Sequence, residues 1–263
     1  MADEKDVLFQ VLDGVATITL NRPKAFNALN ESLGRQLYDA LLECKQTDTI
    51  RAVVITGAGR AFCAGGDVKS FAEHAYDIDS HIMRLTNLIH SSISLMVHMN
   101  KPTICAVNGM AAGGGMSLAL AGDLIFATES AKFTMAYTHI GASPDGSSTF
   151  TLPRLVGVKK ALELVLLNPV LSAQEALAWG LVNQVFPDDR FVEEVLNRAT
   201  RLAHGPTIAY GEAKALLYNS TQETLETQMQ LEALSLARCG RTKDFKEGVL
   251  AFIEKRPAHF VGQ

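Results

Sequence analysis

What this chain lacks narrows it early. Its four cysteines, Cys44, Cys63, Cys105 and Cys239, include no C-x-x-C pair. Neither a zinc ribbon nor a disulfide frame is expected, and such scattered thiols suit the reduced, partly buried side chains of an intracellular protein. Lys and Arg total 24 against 28 Asp and Glu, a formal net charge of −4. The longest basic cluster is Lys159-Lys160, too small for a nucleic-acid footprint. No apolar run approaches the roughly 18 residues of a membrane span. The polar start, Met1-Ala2-Asp3-Glu4-Lys5-Asp6, is unlike a secretory signal. A cytoplasmic protein without nucleic-acid or membrane partners is expected. His74, His81, His98, His204 and His259 lack metal-ligand spacing, so no metal is expected. Low-complexity segments and clear repeats are also missing.

What is present suffices for a sizeable core: 263 residues, 48% of them hydrophobic, in one large domain or one domain with a helical appendage. Asp13-Gly14 separates two strand-like runs at 7–10 and 15–20, a strong hairpin signal. Asn21-Arg22-Pro23 ends the second run. Asn30 then suits the N-cap of a helix that carries Leu33, Leu37, Leu41 and Leu42. Further strands are expected at 51–56, 103–107 and 124–127, with a long helix at 78–99. This alternation favours parallel strands joined by crossover helices. From Thr149 onward the pattern is nearly all helical. Ser172-Ala173-Gln174-Glu175 has capping-box spacing, and amphipathic stretches follow at 190–204, 206–219, 225–238 and 243–255.

Two glycine-rich stretches carry most of the chemistry. Ala61-Phe62-Cys63-Ala64-Gly65-Gly66-Asp67 follows Ala52–Thr56, and Asn108-Gly109-Met110-Ala111-Ala112-Gly113-Gly114-Gly115 follows Thr103–Val107. Each suggests a buried strand running into a glycine turn that opens a helix. Such a turn leaves backbone N–H groups without internal acceptors. Two of them aimed at one point can hold an oxyanion, which suggests chemistry on a carbonyl compound.

These stretches, with Leu20-Asn21-Arg22-Pro23, Asn27-Ala28-Leu29, Ala131-Lys132-Phe133, Gly157, Ala176, Trp179-Gly180-Leu181-Val182 and Phe252-Ile253-Glu254-Lys255-Arg256, resemble the crotonase family, the enoyl-CoA hydratase/isomerase group. The similarity spans nearly the whole chain. It implies an α/β fold: a spiral of ββα units over residues 1–200, with a C-terminal α-helical trimerisation region over 201–263, assembled as a homotrimer or homohexamer. It also implies an acyl-CoA thioester substrate, with coenzyme A part of the substrate and no separate cofactor. The oxyanion donors would be the N–H groups of Gly66 and Gly114, each worth about 3 kcal/mol in the transition state. CoA contacts would come from Lys24, Ala25 and Ala28, and from Ala64, Asp67, Val68 and Lys69. Lys255 or Phe260 would reach CoA within the chain or from a neighbouring subunit.

The carboxylates select the reaction. Family members that hydrate a double bond use two glutamates, and the matching positions here hold Ser117 and Tyr137. Neither is a carboxylate base, so efficient hydration is not expected. A third catalytic position of the family falls on Asp145, in Ala142-Ser143-Pro144-Asp145-Gly146, where the resemblance is to the isomerases. One carboxylate can take a proton beside the thioester carbonyl and return it two carbons away, since no water is added. Pro-Asp-Gly is also an ordinary turn sequence, so Asp145 could instead shape the turn or cap the following helix. Two alternatives remain. One is a 4-chlorobenzoyl-CoA dehalogenase-like hydrolase with Asp145 as nucleophile and His90 as base, although the tryptophans of that chemistry are replaced by Ile89 and Tyr137. The other is an acyl-CoA-binding protein without activity. Tyr137 and His139 are further pocket candidates, as is the stretch 70–90, which carries no legible motif.

Overall fold

The computed structural model describes residues 5–263; the polar start Met1–Glu4 lies outside them. The chain opens with the expected hairpin, β1 (Val7–Leu12) and β2 (Val15–Leu20), turning at Asp13-Gly14. Then follow α1 (Glu31–Gln46), β3 (Ala52–Gly57), β4 (Ala61–Cys63), α2 (Val68–Glu73), α3 (Ile78–His98), β5 (Thr103–Val107), β6 (Met110–Ala112), α4 (Gly114–Leu120), β7 (Leu124–Thr128) and β8 (Lys132–Thr134). The rest comprises α5 (Ser148–Leu167), β9 (Leu171–Ser172), α6 (Ala173–Ala178), β10 (Gln184–Phe186), α7 (Phe191–Ala203), α8 (Thr207–Asn219), α9 (Leu225–Cys239) and α10 (Lys243–Glu254).

The strands form two sheets. The larger has the order β1-β2-β3-β5-β7-β10, the smaller β4-β6-β8-β9. Strands β3, β5 and β7 are successive parallel neighbours in one sheet, and β4, β6 and β8 in the other. Each turn of chain therefore lays one strand in each sheet before returning, and successive turns stack as a spiral. Two-sided burial explains the unbroken apolar runs. In β3, Val53 and Ile55 belong to the main core with α1 and α3, while Ala52 and Val54 belong to a second core with Phe191, Val195, Ala199 and Ala203 of α7.

Three short strands, β4, β6 and β8, are absent from the sequence expectation, the first two lying inside the glycine-rich stretches, because three residues carry no periodicity. β9 and β10 likewise interrupt the expected all-helical C-terminal third. α5 is divided at Gly157 (φ 75°, ψ 160°). Local signals fared better. The Asn30 side chain accepts from the Leu33 N–H at 2.8 Å, and Ser172 with Glu175 forms the capping box. Cys44, Cys63 and Cys105 are buried without disulfides, and burial pushes the Cys44 and Cys63 thiols up to about 12. Among the described residues, no helix is long and apolar enough to cross a membrane, and no group of three or more His, Cys, Asp or Glu could hold a metal.

The C-terminal helices are fastened to the spiral through a polar knot. The Lys214 ammonium on α8 lies 2.6 Å from Asp123 Oδ2, which also accepts the Thr103 N–H and hydroxyl at 2.8 and 2.9 Å. Tyr218 donates to Asp123 Oδ1 at 3.1 Å. Burial holds the Lys214 ammonium below its usual range, opposed by the Asp123 charge. Removing one member of such a pair leaves an uncompensated buried charge. Asp123→Ala is expected to cost about 3–5 kcal/mol of stability in chemical denaturation; a loss of less than about 1 kcal/mol would contradict this role.

Candidate functional site

The two glycine stretches meet. After β4 the chain turns through Ala64, Gly65 and Gly66 before Asp67 caps α2 by accepting the Ser70 N–H. Gly65 has φ +97°, and a Cβ there would sit 2.9 Å from the Ala112 carbonyl and 3.3 Å from the Gly114 nitrogen. Gly113 (φ +51°) caps α4, whose first residue is Gly114. At Gly115 a Cβ would run into the Cys63 carbonyl. Both sterics and dihedrals thus demand glycine where the turns abut. Neither the Gly66 nor the Gly114 N–H has an acceptor among the described residues. For Gly114 this is the expected open first turn of a helix. Gly66 corrects the expectation: it lies two residues before α2, so the loop frees its N–H, not the helix.

The segment after β2 zips onto the first turn. Ala64 donates to the Phe26 carbonyl at 3.0 Å, Leu29 to Gly65 at 2.7 Å, and Asp67 to Leu29 at 2.9 Å. This places the 24–28 turn beside the 64–69 turn, joining the two segments expected to contact CoA. Lys24, Ala64, Val68 and Lys69 are exposed, Ala25 is half-buried and Ala28 is buried. The Asp67 carboxylate is already committed. It caps α2 and pairs with Arg22 at 2.9 Å, while Arg22 also donates to the Ala28 carbonyl. Its side chain therefore braces the turn and does not project from it. Asn27, fully buried at φ +58°, donates to the carbonyls of Ala58 and Ala61 and accepts the Arg22 N–H. Nothing local in the sequence reveals this role of Arg22 and Asn27, because the brace joins segments 31 or more residues apart.

Asp145 lies in the loop between a short 3-10 turn (Tyr137–Ile140) and α5. Its backbone and its side chain have different partners. Its backbone carbonyl shapes the turn, accepting the Ser148 hydroxyl at 2.8 Å and N–H at 3.2 Å. Its carboxylate does not cap α5. Instead Tyr137 donates to Asp145 Oδ1 at 2.5 Å, Ser117 lies 2.9 Å from the Tyr137 hydroxyl, and Thr86 is 3.5 Å from Oδ2. Ser117 stands three residues after Gly114 on α4, and the Tyr137 hydroxyl is 3.6 Å from where a Gly114 Cβ would be. Asp145, Tyr137, Ser117 and one free N–H thus form one cluster. Burial, followed by the Asp145 charge and hydrogen bond, raises the Tyr137 phenol well above its usual range, so it remains a donor.

His90 is exposed, and its Nε2 accepts the Gly146 N–H at 3.1 Å. The lone pair that a base would need is occupied in holding the loop. Ile89 is buried, with its Cδ1 3.5 Å from where a Gly34 Cβ would be on α1. His139 is exposed. Phe260 is not brought to the site within its own chain: its carbonyl accepts from Arg51, just before β3, whereas the site lies beyond the far end of that strand. Lys255 is the exposed C-cap of α10. Thr86, missed in the sequence, falls in the unreadable 70–90 stretch. There His81 spans Glu31 and Ser70 and stacks on His74 with centroids 4.0 Å apart. Forcing the two glycine turns apart tests their contact. Gly65→Ala is expected to cost about 1–3 kcal/mol and to lower the thermal midpoint by several degrees; an unchanged midpoint would contradict the packing.

Comparison with known proteins agrees with this architecture. A family model described as enoyl-CoA hydratase/isomerase matches residues 10–263. The 1,2-epoxyphenylacetyl-CoA isomerase of Escherichia coli (strain K12) is 40% identical over 261 residues, 98% of each chain. The 4-chlorobenzoyl coenzyme A dehalogenase-2 of an Arthrobacter species is 37% identical over 244 residues, 92% of this chain and 88% of that protein. The crystal structure of an enoyl-CoA hydratase from Polaromonas sp. JS666 superimposes with a TM-score of 0.93 at 31% identity, covering 97% of this chain and 99% of that one. The spiral of ββα units is thus the crotonase fold, and the chain belongs to the enoyl-CoA hydratase/isomerase family.

Proposed function

We propose that the protein is an enoyl-CoA isomerase that moves a double bond in an acyl-CoA thioester with Asp145 as its one acid–base group. The observation that carries this is the company Asp145 keeps: its carboxylate meets the hydroxyls of Tyr137 and Thr86, with Ser117 behind Tyr137, and among the described residues no second carboxylate is hydrogen-bonded to them. Adding water across a double bond in this family takes two glutamates; moving a proton takes one base.

In a 3-enoyl thioester, Asp145 takes a proton from C2. The C–H electron pair becomes the C1–C2 double bond, and the carbonyl electrons move onto oxygen. The Gly66 and Gly114 N–H groups hold that oxyanion. The carbonyl then re-forms, the double bond settles between C2 and C3, and the acid form of Asp145 delivers its proton to C4. Lys24 and Lys69 suit the CoA phosphates as exposed point charges, and Ala25, Ala28, Ala64, Asp67 and Val68 flank the thioester arm. Coenzyme A enters as part of the substrate, and assembly as a homotrimer or homohexamer belongs to the same proposal. The Escherichia coli relative's name extends the acyl class to aromatic epoxides, whose rearrangement could use the same acid and oxyanion donors.

A dehalogenase needs a free base beside the aspartate, and His90 spends its Nε2 on Gly146. With a 3-enoyl-CoA, the absorbance of the conjugated 2-enoyl thioester should rise. Asp145→Ala should lower kcat by about 10²–10⁴-fold with little change in CoA-ester binding. Full activity in that variant would refute the assignment. Halide release from 4-chlorobenzoyl-CoA would favour the dehalogenase, and binding without turnover of either ester would favour a binding protein.

A further inference from the structure

We propose that Tyr137, backed by Ser117, is the positioning residue that turns Asp145 into a one-sided base. This inference rests on Asp145 being the proton carrier. A carboxylate has two oxygens, and a shuttle between two carbons needs one of them aimed at the substrate. Tyr137 takes the other, donating to Oδ1 at 2.5 Å. Among the described residues Oδ2 has only the Thr86 hydroxyl at 3.5 Å, too long for a well-made hydrogen bond, so its lone pairs remain available.

The phenol's one proton goes to the carboxylate, so towards Ser117 at 2.9 Å its oxygen can only accept; the serine hydroxyl also reaches the Gly113 carbonyl, at the longer 3.4 Å. Ser117 is on α4, three residues past Gly114, and a Gly114 Cβ would stand 3.6 Å from the phenol oxygen. The acid is therefore tied to the element that carries one free N–H, and the two keep a fixed separation. The loop runs from Gly141 (φ +74°) to Gly146 (φ +59°), and at its second end a Gly146 Cβ would stand 2.8 Å from the Ser117 Cβ. His90 holds its backbone through the Gly146 N–H, and Tyr137 holds its side chain. In this arrangement Ser117 and Tyr137 serve the acid at the two positions where hydratases place glutamates.

The test compares Tyr137→Phe, Ser117→Ala, Asp145→Ala and the pair Tyr137→Phe/Asp145→Ala with a 3-enoyl-CoA, alongside thermal midpoints. Tyr137→Phe should lower kcat by about 10–100-fold, as a misaimed group does, with KM within about threefold of the parent. Ser117→Ala, which changes little volume, should lower kcat by a few-fold. Adding Tyr137→Phe to Asp145→Ala should cost nothing more, because the tyrosine acts only through that carboxylate. Should Tyr137→Phe fold poorly, the Ser117→Ala rate decides. A dead Asp145→Ala beside fully active Tyr137→Phe and Ser117→Ala variants would overturn this inference and leave Asp145 as base. An active Asp145→Ala would overturn both.

Discussion

The contact between Gly65 and the Gly113–Gly114 turn is the constraint on which the site depends. Backbone meets backbone there, with 2.9 Å from a Gly65 Cβ position to the Ala112 carbonyl. Such proximity is open only to residues without a side chain and with access to positive φ. The two N–H groups without acceptors belong to these turns. The parallel pairing of β4 with β6 brings the turns together, and the three hydrogen bonds from the 26–29 segment keep the first from drifting. The fold's stability and the site's geometry therefore share the same few backbone contacts.

A second consequence concerns how little acid–base equipment the site carries. The Asp145 carboxylate meets hydroxyls from two elements, Tyr137 on the 3-10 turn and Thr86 on α3, and Ser117 on α4 stands behind Tyr137. The phenol stays protonated because burial and the neighbouring charge both disfavour a phenolate. A site with one carboxylate and donors around it is suited to carrying a proton from one carbon to another. It is poorly suited to activating and aiming water.

Much of this was legible in the sequence, for identifiable reasons. The hairpin at Asp13-Gly14, the Asn30 cap, the Ser172–Glu175 box and the long strands rest on local chemistry, and all are present. The glycine stretches stood out because their dihedral and packing demands are written as residue type. Three-residue strands such as β4, β6 and β8 gave no signal, because their regularity lies in pairing with distant chain. The same holds for the hydrogen bonds of Asp67 to Arg22 and of His90 to Gly146, whose partners lie 45 and 56 residues away in the chain. Asp145 stands out by residue type, but only the folded chain separates its turn-forming carbonyl from its carboxylate.

The central claim is that one carboxylate carries the proton between two carbons. A 3-enoyl-CoA deuterated at C2, turned over in ordinary water and followed by NMR or mass spectrometry, tests it most directly. The account predicts that part of the deuterium appears at C4 of the 2-enoyl product. Product with no deuterium at C4 even at the earliest conversion would contradict it.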